Sequence, residues 1–373
     1  MKGTVIILGA SLIAGLIAST ETPVATDSSA KPQAAPVNEI QSYFDSLASE
    51  NKLSGVLLVA KDGVTVASKA AGVANKATGA VIDLNTKFNL GSMNKMFTSV
   101  AVAQLAQAGK LSFTDTVGKH LPDYPNKEVA EKVTIHHLLT HTSGMGMYWN
   151  EKFMAQREKL LTVAAHLPLF ADDPLLFPPG EKFQYSNSGF MLLGAIVEKI
   201  SGQDYYSYVQ EHVYKPAGMT NTGFYEPGKD TPNLAIGYSR MSRDGQRLEE
   251  ARDNTNMREV RGGPAGGGYS TAPDLVKFQQ ALFSYKLLDK EHTTLITTGK
   301  VEGPRGMGRY GYGFGDNNAD GKHSVGHNGG SPGIAANLDM FPESGYTAVA
   351  LMNTDPPSMM PIAKAIRDRV PAK

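Results

Sequence analysis

Strand-like segments lie near both ends of this 373-residue chain, and helix-like segments fill most of the sequence between them. Residues 53–60 and 64–70 are rich in β-formers and flank Asp62-Gly63, a dipeptide typical of a tight hairpin turn. Residues 335–341 and 346–352 form a second pair around a short glycine-containing turn. Strand–helix–strand units of a parallel sheet are not apparent, so the pattern predicts an α+β fold rather than an alternating one.

The start of one predicted helix carries the first candidate for chemistry. A short apolar run ends at Gly91, and apolar residues then recur three and four apart from Ser92 to a stop at Gly109. Ser92 is therefore placed at a helix N-terminus, with Lys95 one turn on and on the same face. A serine beside an amine, where backbone N–H groups are unpaired, can become an activated nucleophile. The alternative is a helix-capping serine with a surface lysine.

Ser-x-x-Lys occurs three times in the chain, so the surrounding sequence must show which of the three serines is the candidate nucleophile. Ser28 and Lys31 fall in a segment rich in Thr, Ser, Ala and Pro, which predicts a linker. Ser49 and Lys52 fall where a predicted helix ends. Ser92 alone opens a helix.

The first residues predict an exported protein. Lys2 precedes an apolar run, residues 4–18, that is too short to span a bilayer comfortably, and small residues follow it. We therefore expect a signal peptide over 1–20, a flexible linker over 21–36, and a periplasmic or secreted protein with no stable membrane span after signal removal. A retained N-terminal anchor is the alternative. Cysteine is absent, which excludes disulfides, thiol catalysis and lipid attachment through a cysteine.

Charge and histidine spacing exclude several other classes. The 36 basic and 36 acidic residues balance, which argues against a nucleic-acid partner or an anionic membrane surface. His137 and His141 are four residues apart, but no glutamate completes a His-Glu-x-x-His pattern and no carboxylate stands at ligand spacing. We expect packing or capping roles for both histidines, and predict neither a metal nor a cofactor.

Two glycine-containing segments resemble known functional motifs but do not meet the requirements of those motifs. Gly329-Gly330-Ser331-Pro332-Gly333 matches the nucleophile elbow Gly-x-Ser-x-Gly, but that elbow needs a strand–turn–helix and here another strand follows. The glycine-dense residues 262–268 lack the Lys-Ser/Thr ending of a phosphate loop. We expect the latter to be backbone packed closely beside a cleft.

Two further motifs accompany Ser92. Tyr185-Ser186-Asn187 stands at the start of a second clear helix. Tyr-x-Asn also occurs at Tyr124 and Tyr148, so the sequence context again distinguishes the candidate motif from the other two copies. The alternative is that Tyr185 is a half-buried tyrosine that packs at the start of the helix and has no catalytic role. His327-Asn328-Gly329 lies within a strand-like segment. In chain order the three motifs are Ser92-Met93-Asn94-Lys95, Tyr185-Ser186-Asn187 and His327-Asn328-Gly329.

The order and spacing of these motifs resemble the serine β-lactamase / penicillin-binding-protein superfamily. Within it the chain is most similar to the branch of class C β-lactamases, D-stereospecific peptidases and family VIII esterases. Residues 138–144, 179–187 and 268–275 also look like segments of that branch. The likeness runs from about residue 37 to the C-terminus.

The resemblance implies an architecture in two parts. An antiparallel sheet flanked by N- and C-terminal helices would be built from residues 37–91 and 290–373. Residues 92–289 would form a mostly helical second lobe.

The resemblance also implies an acyl-serine reaction. Ser92 Oγ would attack a carbonyl, and the residue chemistry leaves either Lys95 or Tyr185 as the base that takes its proton. Tyr185 would also protonate the leaving group and activate the deacylating water. Asn187 would hydrogen-bond Lys95 and the substrate, and the backbone N–H groups of Ser92 and Gly330 would hold the oxyanion.

One motif departs from the family pattern. His327-Asn328-Gly329 stands where β-lactamases usually have Lys-Thr-Gly and D-peptidases often have His-Thr-Gly; Gly329 would let a substrate approach the strand. A histidine gives a weaker, pH-dependent positive charge than lysine, and Asn328 replaces a hydroxyl by an amide. Family esterases often carry an aromatic residue in place of His327, so they are not a clean match either.

We therefore expect a D-peptidase or carboxylesterase acting on a small-molecule or peptide substrate. The alternatives are a class C type β-lactamase, a non-catalytic domain that captures penicillin or a cell-wall peptide, and an anchored scaffold. Trp149, the only tryptophan, either lines the pocket or packs a loop.

Overall fold

The computed structural model describes residues 34–226, 229, 231–242, 245–303, 308–319 and 321–371, and the fold below is that of the unit Pro36–Lys373. The predicted signal peptide and nearly all of the predicted linker lie outside the described residues. No helix in the described part of the chain is long and apolar enough to cross a membrane.

The strands fall at both ends of the sequence. They are β1 Gly55–Lys61, β2 Val64–Ala71, β3 Val73–Asn75, β4 Ala80–Val81, β5 Phe88–Asn89, β6 Tyr238–Met241, β7 Arg247–Asp253, β8 Tyr269–Ser270, β9 Val301–Glu302, β10 Arg309–Tyr310, β11 Gly315–Ala319, β12 Lys322–Ser331, β13 Ile334–Phe341 and β14 Tyr346–Met352. Among the described residues, eight of them form one sheet in the order β2-β1-β14-β13-β12-β11-β10-β9. Its neighbouring strands pair antiparallel throughout.

Strands from the two ends of the chain meet within this sheet, as its second and third strands. β1 pairs with β14 from Gly55 opposite Met352 to Lys61 opposite Tyr346, which joins the two predicted hairpins side by side. This confirms the predicted α+β class and the antiparallel sheet drawn from both chain ends. The proposed division into lobes at residues 91 and 290 stays a prediction.

The helices occupy most of the middle of the chain. In the described residues the α-helices are α1 Ala34–Ser49, α2 Lys95–Gln107, α3 Val117–His120, α4 Lys127–Lys132, α5 Ile135–Leu139, α6 Glu151–Gln156, α7 Val163–His166, α8 Asn187–Ser201, α9 Tyr205–Val209, α10 Lys215–Ala217, α11 Ala272–Phe283, α12 Lys290–Thr297 and α13 Met360–Arg369. A 3₁₀ turn, Gly91–Asn94, precedes α2, so Ser92 lies one turn before the α-helix rather than in it. The sequence from Thr271 predicts a helix to about residue 287, but α11 ends at Phe283.

The central strands of the large sheet are buried on both faces. Successive side chains of a strand point to opposite faces. On β13, Ala335 and Phe341 pack in a cluster with residues of α1 and α13, whereas Leu338 and Met340 pack in a cluster with the middle helices. The long apolar strands therefore follow from burial on two sides.

Helix α2 runs through this second cluster, and ten of its thirteen residues are buried. Phe97 anchors it through edge-to-face contacts with Tyr214 and Phe278, with ring centroids 5.1 and 4.9 Å away. Such pairs add about 0.5–1.5 kcal/mol to the effect of burial. Lys95 lies at the start of this anchored helix and Ser92 lies in the turn before it, so both residues are held rigidly.

Candidate active site

Glycines allow the turn that carries Ser92 to lie directly against β12. A Cβ atom on Gly329 would lie 1.9 Å from the carbonyl oxygen of Leu90, and one on Gly91 would lie 3.0 Å from the backbone nitrogen of Gly330. Gly91 also has φ +50°, in the left-handed region that favours glycine. The backbone near Ser92 and that of Gly330 are therefore brought together, as an oxyanion site formed by the two would require.

The glycine-dense segment packs on the other side of the same turn, as the sequence predicts. The backbone N–H of Gly267 donates to the carbonyl oxygen of Gly91 at 3.1 Å, and that of Gly268 donates to Asn94 Oδ1 at 3.1 Å. β5 pairs with β8 immediately beside these contacts. The turn is thus fixed from both sides.

Lys95 is fully buried beneath the cavity floor. Its Nζ atom donates to Asn187 Oδ1 at 2.7 Å and to the carbonyl oxygen of Ala265, and lies 4.7 Å from the centroid of the Tyr185 ring. Burial lowers the pKa of Lys95 well below its ordinary value, and the negative charge of Glu259 opposes that shift only in part. A lysine in this state releases its proton more readily than an ordinary lysine and can act as a base.

Tyr185 lies at the mouth of α8, with its ring half-buried and its hydroxyl group buried. Burial raises the pKa of Tyr185, and an interaction with the Ser92 side chain lowers it by less. That contact is not well formed, because the Tyr185 hydroxyl has no partner in good hydrogen-bonding geometry. Tyr185 is therefore protonated at neutral pH and faces Ser92 as a potential proton donor.

His141 fixes the position of Tyr185. Its Nδ1 atom accepts from the backbone N–H of Ser186 at 3.1 Å, its carbonyl oxygen accepts from the N–H of Gln184 at 2.8 Å, and its ring lies 4.2 Å from that of Tyr185. Burial, followed by the charge of Lys95, lowers the pKa of His141 well below its usual range. His141 is therefore neutral, with its proton on Nε2. Sequence analysis placed His141 in the segment 138–144 and expected a packing or capping role for it, without linking it to Tyr185.

His327 is buried and uncharged. Its Nδ1–H donates to the carbonyl oxygen of Asn328, and its Nε2 accepts from the Tyr310 hydroxyl at 2.9 Å. Burial, reinforced by the charge of Lys95, lowers the pKa of His327 to about 3. The weak positive charge expected from the sequence is thus absent at neutral pH.

The site opens into a cavity of about 970 Å³. Ser92, Tyr185, Asn328 and Gly330 line it, whereas Lys95, Asn187, His327 and Gly329 are buried behind this surface. β11 pairs with β12 only as far as Gly326, so the edge of residues 327–331 is unpaired on that side. Such an edge can accept the backbone of an extended substrate.

Sequence analysis missed Glu259, which belongs to no recognisable motif. Its buried Oε1 atom accepts from the Tyr148 hydroxyl at 2.8 Å and from Trp149 Nε1 at 3.0 Å. The Trp149 ring stacks on Phe153 with centroids 5.6 Å apart. Trp149 is not among the residues lining the cavity, so of the two alternatives the structure favours loop packing.

Comparisons with known proteins agree with this geometry. The model of the family described as Beta-lactamase matches residues 40–371. "Putative penicillin-binding protein PbpX" of Bacillus subtilis is 30% identical over 80% of this chain and 70% of its own length.

Solved structures show the same fold. A penicillin-binding protein from Bacillus halodurans is 32% identical, with a TM-score of 0.77 over 87% of this chain and 99% of the other. The D-amino acid amidase of Ochrobactrum anthropi SV3, solved with L-phenylalanine, is 22% identical, with a TM-score of 0.74 over 89% of this chain and 99% of the other. At that identity the amidase demonstrates a shared fold only.

Proposed function

The chain is a serine hydrolase of the Beta-lactamase family, and from that premise we propose that it is an exported enzyme that cleaves an amide or ester bond through an acyl intermediate on Ser92. One observation carries the proposal. Lys95 is fully buried, bound to Asn187 and Ala265, and has its pKa lowered by burial at a position one helical turn from Ser92. Tyr185 is the third side chain of the proposed catalytic group.

In the acylation step, Lys95 is the base. The pKa of Lys95 is lowered and that of Tyr185 is raised, so the amine and not the phenol is ready to accept a proton. The Ser92 Oγ–H proton passes to Lys95 Nζ while Oγ bonds to the substrate carbonyl carbon. The backbone N–H groups of Ser92 and Gly330 hold the resulting oxyanion.

Tyr185 serves the leaving group. When the tetrahedral intermediate collapses, the C–N or C–O bond breaks and the Tyr185 hydroxyl protonates the departing nitrogen or oxygen; the Lys95 ammonium then returns a proton to Tyr185. In the second half-reaction water bonds to the acyl carbon while its proton moves through Tyr185 to Lys95. The bond between Ser92 Oγ and the acyl carbon then breaks, Lys95 returns the proton to Oγ, and the carboxylic acid product leaves the free enzyme.

A D-peptidase or carboxylesterase is preferred to a β-lactamase. His327 is neutral and Asn328 presents an amide, so this strand offers a substrate carboxylate no positive charge. A class C type β-lactamase is the second candidate, and non-catalytic capture of penicillin or a cell-wall peptide is the third.

Turnover of a substrate panel by wild type and Ser92→Ala tests the activity. The panel contains a D-amino-acid 4-nitroanilide, a 4-nitrophenyl ester and a chromogenic cephalosporin. Ser49→Ala is the matched control, because Ser49 belongs to another Ser-x-x-Lys sequence on the exposed end of α1. We expect Ser92→Ala alone to lose turnover of the amide or the ester. Equal rates for wild type and Ser92→Ala on all three would overturn the proposal, and a stable adduct without product release would favour capture.

Export is tested separately. The motivating observation is the apolar run after Lys2 in the predicted signal peptide. N-terminal sequencing of protein recovered from the periplasm or medium should begin near residue 20. Recovery of the intact N-terminus from the membrane fraction would instead support the anchored alternative.

A further inference from the structure

The cavity at Ser92 extends well beyond the catalytic groups. Five residues of the β6–β7 hairpin line it: Tyr238, Arg240, Met241, Arg247 and Ala251. Pro356 and Pro357 close the opposite wall. Most of this lining is apolar, and the two arginines are exposed at its mouth.

Neither arginine forms an ion pair with a carboxylate in the part of the chain that the structure describes. Within the described residues, no carboxylate lies within 4 Å of the guanidinium group of Arg240 or of Arg247. Asp355 also lines the cavity, but its two oxygens accept from the backbone N–H groups of Arg240 at 2.9 Å and Gly333 at 2.8 Å. The acidic residues of this hairpin that the structure describes do not line the cavity: Glu249, Glu250 and Asp253.

The groups near Ser92 offer no competing positive charge. Lys95 is buried behind the cavity surface with two oxygen partners. His327 is held by Tyr310 and by the carbonyl oxygen of its neighbour, and faces away from the cavity. Of the described lining residues, Arg240 and Arg247 are therefore the cations available to a ligand. Guanidinium groups bind carboxylates strongly and with defined geometry.

We propose that Arg240 and Arg247 bind a carboxylate of the substrate, which makes the substrate class amides or esters that carry an apolar segment ending in a carboxylate. This inference rests on the proposed function of Ser92. The scissile carbonyl lies at Ser92 and Gly330, the apolar segment contacts Tyr238, Met241 and the proline wall, and the carboxylate reaches the mouth.

The test uses two esters that differ only in charge. Mono-4-nitrophenyl suberate carries a free terminal carboxylate, and its methyl ester has the same chain without that charge. Release of 4-nitrophenolate reports cleavage at the same bond in both. The measured quantity is the ratio of kcat/KM for the acid to kcat/KM for the methyl ester.

We expect wild type to favour the acid by about tenfold, as two partly exposed charge pairs can provide. Arg240→Gln/Arg247→Gln should bring the ratio close to one. Arg252→Gln is the matched control, because Arg252 is exposed on the same hairpin but does not line the cavity; it should keep the wild-type ratio. Sodium chloride should lower the wild-type ratio, since salt screens exposed charges, and this measurement needs no variant.

The outcomes separate the two proposals. A wild-type ratio near one, or a ratio unchanged in the double variant, overturns the carboxylate site while leaving hydrolysis by Ser92 intact. If wild type cleaves neither ester faster than Ser92→Ala does, the proposed function fails, and the carboxylate site fails with it.

Discussion

Lys95 Nζ donates a 2.7 Å hydrogen bond to Asn187 Oδ1, although the two residues are 92 positions apart in the chain. The contact joins the first turn of α2 to the first turn of α8. It holds the amine beside Ser92 without giving it a negative partner, so the effect of burial on the pKa of Lys95 remains dominant.

Asn187→Asp should shift the active form of the enzyme to higher pH. A carboxylate in place of the amide stabilises the Lys95 ammonium and raises the pKa of Lys95. The acidic limb of the kcat/KM profile against pH should therefore move upward, with reduced activity at pH 7. Asn150→Asp is the control, because Asn150 caps α6 and aspartate caps helices equally well.

Glu259→Gln should move the acidic limb of the kcat/KM profile to lower pH. The charge of Glu259 raises the pKa of Lys95, so its removal lowers that pKa and extends activity to lower pH. Shifts of both variants in one direction would contradict the assignment of Lys95 as the base.

Tyr185→Phe should separate activity from stability. The buried hydroxyl makes no well-formed hydrogen bond, so its removal should change the free energy of unfolding by less than about 1 kcal/mol. Loss of a general acid should nevertheless lower kcat by about 100-fold or more. Urea denaturation and steady-state kinetics measure the two effects; a large loss of stability with little loss of kcat would assign Tyr185 a structural role.

His141→Ala should disturb the position of Tyr185. The backbone N–H of Ser186 loses its acceptor, and alanine adopts the observed φ of +58° poorly. We expect a loss of about 2–3 kcal/mol in unfolding free energy and a fall in kcat larger than the change in KM. Asparagine tolerates this backbone region and can accept a hydrogen bond, so His141→Asn should restore part of kcat; equal defects in both variants would argue against a positioning role.

Stability should fall as the pH drops below about 6.5. His141 and His327 have lowered pKa values in the folded protein, so the unfolded chain binds more protons than the native one in this range. Each such histidine contributes a slope of about 1.4 kcal/mol per pH unit between its unfolded pKa and its folded pKa, which is about 3 for His327.

Urea denaturation from pH 7 to pH 4 measures this slope. His327→Gln should reduce it, whereas His212→Gln on the exposed surface of the protein should not. An unchanged slope in His327→Gln would show that this histidine is not held neutral by the fold.

The sequence identified features that local patterns encode. Ser92 and Lys95 share a face because they are three residues apart at a helix start, and Tyr185 precedes another clear helix. The predicted family and α+β class were confirmed because their motifs and strand patterns are local.

Features that depend on distant contacts were not predictable. Glu259 acts on Lys95 from a loop without a motif, and His141 controls Tyr185 through a backbone contact 45 residues away. His327 is neutral because burial and the charge of Lys95 lower its pKa, and only the folded protein brings these groups together.

The central claim is that buried Lys95 activates Ser92. Rapid-quench labelling with a fluorophosphonate, followed by peptide mass spectrometry, tests it most directly. In wild type the adduct should lie on Ser92, and Lys95→Met should slow labelling by about 10³-fold, as expected for loss of a general base. Labelling of another serine such as Ser331, or labelling of Lys95→Met at the wild-type rate, would contradict the claim.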